Sequence, residues 1–135
     1  MHIPAPELPN EVNIMIDASL VLCKTLLHYS SSFYPFAAVC IDGDVQCVFI
    51  DETKEYEQGV IEQLEDTILH HTVNVSKSNS LIAYSAYMET PTSARQDVLV
   101  FEVALYNGSV NQILYPVCYS EAGVEIGTPL LHQNL

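Results

Sequence analysis

The chain has 135 residues, of which 17 are acidic and only four are Lys or Arg, so its formal net charge at pH 7 is −13. Hydrophobic residues make up 49% of it, which is enough for a domain of this length to fold around its own core. The four basic residues are scattered, whereas binding a phosphate backbone or an anionic membrane requires clustered cations. The sequence therefore predicts a single domain, residues 1–135, that binds neither nucleic acid nor membranes. No basic segment leads into an apolar stretch at its start, and we expect a cytoplasmic location.

The first predicted elements are an extended arm and a helix. Three prolines among residues 1–9 favour an extended N-terminal arm. Apolar residues then recur at helical spacing from Val12 to Leu27. We predict a helix that has Asn10 as a candidate N-cap and that ends near Tyr29, before three consecutive serines.

The segment CIDGDVQC, residues 40–47, predicts a β-hairpin with a two-residue turn within Asp42-Gly43-Asp44. Around such a turn Cys40 and Cys47 lie on the same face of the hairpin, either opposite or diagonal to each other. Their spacing is not that of a zinc site, and no second ligand pair follows. We interpret them as buried thiols of a reduced cytoplasm, with a redox-sensitive pair as the main alternative.

The rest of the chain predicts one more helix and three more strands. Thr53 can cap a second helix that ends near His70 and His71, since histidines suit a helix C-terminus. Strands are expected at residues 81–88 and on both sides of Asn107-Gly108. We interpret the segment that follows as a turn, with a short last strand as the alternative. The predicted fold is α+β, with a mainly antiparallel five-stranded sheet, two main helices and the order α-β-β-α-β-β-β.

Both faces of the predicted sheet are apolar, although a sheet with one face in water should alternate apolar and polar residues. A two-residue turn at Asn107-Gly108 places Leu105 opposite Val110. Either the two helices cover one face each, or a partner covers one face. We expect a homodimer, or another protein partner, bound to the second face. The candidate interface residues are Val98, Val100, Ile113, Val117 and Tyr119.

Glu102 is the carboxylate that the pattern singles out, because it is placed among apolar residues of that same face. A buried carboxylate can bind a ligand or move a proton, and Tyr115 would line the same pocket. The alternative is that Glu102 lies at a sheet edge and reaches solvent. We assign no catalytic residue, no metal ligand and no cofactor, since the sequence contains no nucleotide-binding, hydrolase or zinc-protease motif.

The segments FYPFAAV and DVLVFEVALYNG resemble a group of small bacterial α+β proteins of unknown function. The matching positions are Phe33, Pro35, Phe36, Asp97, Glu102, Gly108 and Pro116. That group implies no activity, and it is expected to carry a second acidic residue where this chain has Ala104. The order of elements is also similar to that of roadblock/LC7 domains, which are scaffolds that dimerise and bind partners, although no last helix is predicted here.

The leading hypothesis from the sequence is a non-enzymatic interaction or scaffold module that dimerises. One alternative is a small-molecule-binding protein or minor enzyme with a pocket near Glu102. Another is an acidic chaperone or immunity-type protein that masks a basic partner.

Overall fold

The computed structural model describes residues 8–30, 33, 35–49, 57–73, 77–89, 91 and 95–133. Two helices, α1 (Asn10–Tyr29) and α2 (Glu57–Thr72), accompany an antiparallel sheet, so the α+β prediction is confirmed. Its strands are β1 (Phe36–Ile41), β2 (Asp44–Phe49), β3 (Ser78–Glu89), β4 (Arg95–Ala104), β5 (Val110–Ser120), β6 (Gly123–Ile126) and β7 (Leu130–Gln133). Most of the predicted N-terminal arm and the Thr53 cap lie outside the described residues.

The sheet is larger than the five strands predicted. Six strands follow the order β2-β1-β3-β4-β5-β6, and β7 pairs with β5 as well. Pro116 explains why β6 and β7 are separate, because proline has no N–H to donate to a neighbouring strand. The Pro116 carbonyl still accepts a hydrogen bond from Gly127 N–H at 2.8 Å. The pairing register shifts by one residue there, so the last 15 residues add two short strands along one edge of β5.

Helix α1 has the predicted limits, but its first turn is built differently. Asn10 is the first helical residue, and the N-cap position belongs to Pro9, which makes no side-chain cap. The Pro9 carbonyl instead accepts hydrogen bonds from the N–H groups of Val12 and Asn13 at 3.0 and 3.1 Å. The prediction of Asn10 as N-cap was therefore wrong, whereas the extent of the helix is confirmed.

The first hairpin is confirmed, and the structure decides which of the two possible registers it adopts. Asp42 and Gly43 have φ of 52° and 83°, so both adopt the left-handed conformation that a two-residue hairpin turn requires. Cys40 pairs with Val45, and Ala38 pairs with Cys47.

The second hairpin differs from the prediction by one residue. Ala104, not Leu105, pairs with Val110, and the loop is closed by hydrogen bonds from Leu105 N–H to the Ser109 carbonyl and from Gly108 N–H to the Leu105 carbonyl. Gly108 has a φ of 91°, whereas Asn107 does not adopt a positive φ, so the connection is a three-residue loop with a bulge. A shift of one residue exchanges the two faces of a strand. Residues of β5 were consequently assigned to the wrong faces.

The two helices pack on opposite faces of the sheet, which is the first of the two arrangements considered above. Helix α1 contacts β1, β2 and β3 near one end of the strand order and β6 at the other, because the sheet curls around it. Phe36, Phe101 and Met15 are fully buried there. Helix α2 packs on β1 and β3, where Val60 and Leu64 are buried. We call these the α1 face and the α2 face.

Candidate interaction surface

Glu102 and Tyr115, the predicted ligand-binding residues, lie on opposite faces of the sheet. Tyr115 is part of the core on the α1 face, with its ring edge-on to Phe101 at a centroid distance of 5.3 Å. Burial raises the pKa of Tyr115 to about 12, and nearby Asp17 adds to this shift. Glu102 lies on the α2 face, where its Oε1 accepts a hydrogen bond of 3.0 Å from the Tyr84 hydroxyl. The structure therefore does not place Glu102 and Tyr115 around one pocket.

Four of the five predicted interface residues are buried within the single chain. Val98, Val100, Ile113 and Val117 are each 4% exposed, and only Tyr119 is well exposed, at 46%. Ile113 and Val117 face α1 because of the one-residue shift in the second hairpin. These four side chains are not available to a partner in this fold.

The hairpin cysteines do not form a close pair. Cys40 and Cys47 share the α1 face but are diagonal neighbours across the ladder. Diagonal residues have Cα atoms about 7–8 Å apart, which is beyond the reach of a disulfide without backbone movement. Cys40 is buried and Cys47 is exposed, and both thiols are free. No cluster of three or more His, Cys, Asp or Glu side chains suited to a metal ion occurs among the described residues.

His70 and His71 occupy the exposed last turn of α2, in agreement with the sequence-based placement. Neither belongs to a metal-ligand cluster within the described part of the chain.

The outward side of α1 is a second apolar surface, opposite the side that fills the core. Its exposed residues follow the alternating steps of four and three that align side chains along one line of a helix. They are Ile14, Ala18, Val21, Thr25 and His28, and we call them the outer seam of α1. Ile14 is 50% exposed and Val21 is 68% exposed, in a helix whose opposite side is fully buried at Val12, Met15 and Cys23.

The hydroxyl group of Thr25, in the outer seam, is compatible with burial against another helix. The Thr25 hydroxyl donates a hydrogen bond of 3.0 Å to the Val21 carbonyl of its own helix, so its methyl group is free to make contacts. Burying a hydroxyl that is already hydrogen-bonded avoids the cost of an unsatisfied donor.

Two charged residues, Asp17 and Lys24, lie beside the outer seam. Both are exposed and, being seven residues apart, they lie along the same flank of the seam.

Sequence reasoning missed this surface because it considered only the stripe of α1 that fills the core. The steps of four and three from Ile14 to His28 are visible in the sequence, but exposure of that line depends on which side of α1 the sheet covers. Among the described helices, α1 is also the one long and apolar enough to cross a membrane. A core helix meets the same criteria, so this observation has little weight.

Comparisons with known proteins identified no matching family, no similar curated protein and no similar solved structure. The resemblances drawn from the sequence therefore stay predictions.

Proposed function

We propose that this chain is a non-enzymatic interaction module that self-associates, and that the outer seam of α1 is its contact surface. The observation that supports the proposal is the exposure of Ile14 and Val21 on one line of α1, whereas four of the five sheet residues predicted for the interface are buried by the chain itself. An apolar line along a well-formed helix is a common docking surface for a second helix. The interface is thereby moved from the sheet, where the sequence predicted it, to the helix.

The expected affinity follows from the area that remains to be buried. Fully burying a Val or Ile side chain is worth about 1.5–3 kcal/mol. Since Ile14 is half exposed and Val21 is two-thirds exposed, covering both yields about 3 kcal/mol per copy, or about 6 kcal/mol for a symmetric dimer. Association costs about 4–15 kcal/mol in lost freedom of motion. The difference is at most about 2 kcal/mol, so these two side chains alone give a dissociation constant on the order of tens of millimolar, and a measurable dimer requires further contacts along the seam and its flanks.

The test is the solution mass, measured by sedimentation or light scattering over a concentration series that extends to about 1 mM, where a dimer with a millimolar dissociation constant is populated. Val21→Asp places a charge in the middle of the outer seam, and we expect it to weaken self-association by at least about tenfold, because a buried unpaired carboxylate is costly.

Leu69→Asp is the matched control, since Leu69 is 63% exposed on α2, away from the outer seam. It should leave the mass distribution of the wild type unchanged. A wild-type chain that stays monomeric at every concentration would refute the proposal, as would a dimer that tolerates Val21→Asp.

Self-association also differs from the binding of a basic partner in its dependence on salt. Two chains that each carry a net charge of −13 repel one another, so added salt should strengthen their association. A complex of this chain with a basic protein should weaken instead.

A further inference from the structure

The first four residues of the outer seam of α1, from Ile14 to Thr25, alternate larger and smaller side chains about their midpoint. Ile14 and Val21 are the large members, and Ala18 and Thr25 are the small ones. The midpoint lies between Ala18 and Val21. Reversing the direction of the helix about this point therefore exchanges Ile14 with Thr25 and Ala18 with Val21.

We infer that the partner of the outer seam is a second copy of this chain, whose α1 packs antiparallel about a two-fold axis between Ala18 and Val21. The inference rests on the proposed self-association and specifies its geometry. In this register every apolar layer pairs a large side chain with a small one, since Ile14 faces the partner's Thr25 and Val21 faces the partner's Ala18. Such alternation lets two helices approach closely without leaving voids.

Charge favours the same orientation. In an antiparallel helix pair, residues on the same flank of the two seams lie beside each other. Asp17 then lies beside the partner's Lys24, and the two-fold axis repeats this pair. Both side chains are exposed in the single chain. Two cross-helix pairs of opposite charge form in a molecule whose net charge would otherwise oppose self-association.

A parallel pair has neither advantage. It would stack identical residues in every layer, so that Ile14 meets the partner's Ile14 and the short Ala18 side chains leave a gap. It would also place Glu11 against the partner's Glu11. Asp17 and Lys24 would then face no opposite charge across the interface, because in the parallel arrangement each flank lies beside the other flank of the partner.

A charge-swap experiment tests the geometry. Asp17→Lys alone should raise the dimer dissociation constant by about tenfold or more, because two attractive pairs become repulsive. Lys24→Asp alone should have a similar effect. The double variant carrying Asp17→Lys and Lys24→Asp should return to within about threefold of the wild type, since both cross-helix pairs are re-formed with reversed sign.

Matched controls separate these local effects from the change in net charge. Glu65→Lys alters the net charge as Asp17→Lys does, but on the exposed side of α2, and Lys77→Asp matches Lys24→Asp. Glu65→Lys should leave dimerisation unchanged or tighten it, because it reduces the repulsion between acidic chains. Weakening by Asp17→Lys despite that same reduction would identify a specific contact with a cation.

The failure of this inference is distinguishable from failure of the proposed function. A wild-type dimer that is weakened by Val21→Asp and by both single charge variants, but not restored by the double variant, would overturn the antiparallel register and keep the proposed function. A wild-type dimer whose dissociation constant is unchanged by both single charge variants would also overturn the antiparallel register and keep the proposed function. A monomeric wild type would refute both proposals.

Discussion

The contact between Phe101 and Tyr115 gives the most direct test of the register in the second hairpin. The two rings pack edge-on at 5.3 Å on the α1 face because Ala104, not Leu105, pairs with Val110. If the hairpin were closed by a two-residue turn, the two residues would lie on opposite faces. A double-mutant cycle measures whether they interact.

Phe101→Leu and Tyr115→Leu each shorten a buried side chain while keeping it apolar, and each should lower the free energy of unfolding by about 1–2 kcal/mol. Loss of an aromatic pair is worth about 0.5–1.5 kcal/mol beyond the loss of buried area, so the double variant should lose less than the sum by about that amount. Urea denaturation followed by circular dichroism gives the four free energies, with the slope against urea checked for constancy.

Val100 provides the control, because it is buried on the other face and belongs to the same strand as Phe101. Val100→Ala combined with Tyr115→Leu should show coupling below about 0.5 kcal/mol. Coupling between Val100 and Tyr115, together with none between Phe101 and Tyr115, would refute the register described here.

Two further predictions concern a loop and the thiols. Gly108→Ala should destabilise the protein by about 1–2 kcal/mol, because its φ of 91° is strained for alanine although nothing lies within 4 Å of the added Cβ. Gly127→Ala should change the stability little, since its added Cβ would meet Pro116 at an ordinary contact distance of 3.6 Å. If urea denaturation showed the same loss of unfolding free energy for both variants, the reasoning would be contradicted. Among the four cysteines, only Cys47 and Cys118 are exposed. Two thiols per chain should therefore react with a thiol reagent at pH 8 in the native state, and four after unfolding. Peptide mass spectrometry identifies which cysteines have reacted.

Local structure was predictable for α1 and for the first hairpin, where it depends on neighbouring residues in the chain, but not for the first turn of α1 or for the loop of the second hairpin. The extent of α1 follows from the spacing of its apolar residues, and the first hairpin follows from an Asp-Gly pair that accepts positive φ at both turn positions. The sequence did not predict that β6 and β7 are two separate strands. A one-residue change of register at Pro116 divides the edge of the sheet there, and each of the two strands is too short to show periodicity.

The candidate site was much less accessible to sequence reasoning. Glu102 and Tyr115 were grouped because a two-residue turn places them on the same face, and one extra loop residue separates them. The outer seam of α1 was overlooked for a different reason. Its residues lie on the side of α1 opposite the apolar stripe, and the sequence pattern does not give their exposed fractions, which only the fold shows.

The amino-acid sequence by itself determined the α+β class, the limits of α1, the position of the first hairpin and the strongly acidic charge. Each of these follows from residue spacing, backbone preference or composition, which need no knowledge of distant contacts. The tertiary structure alone decided which residues of β5 join the core on the α1 face. Both faces of the sheet are apolar, so either register of the second hairpin satisfies the local pattern. The choice between them depends on how the three-residue loop closes and on how the curled sheet packs around α1.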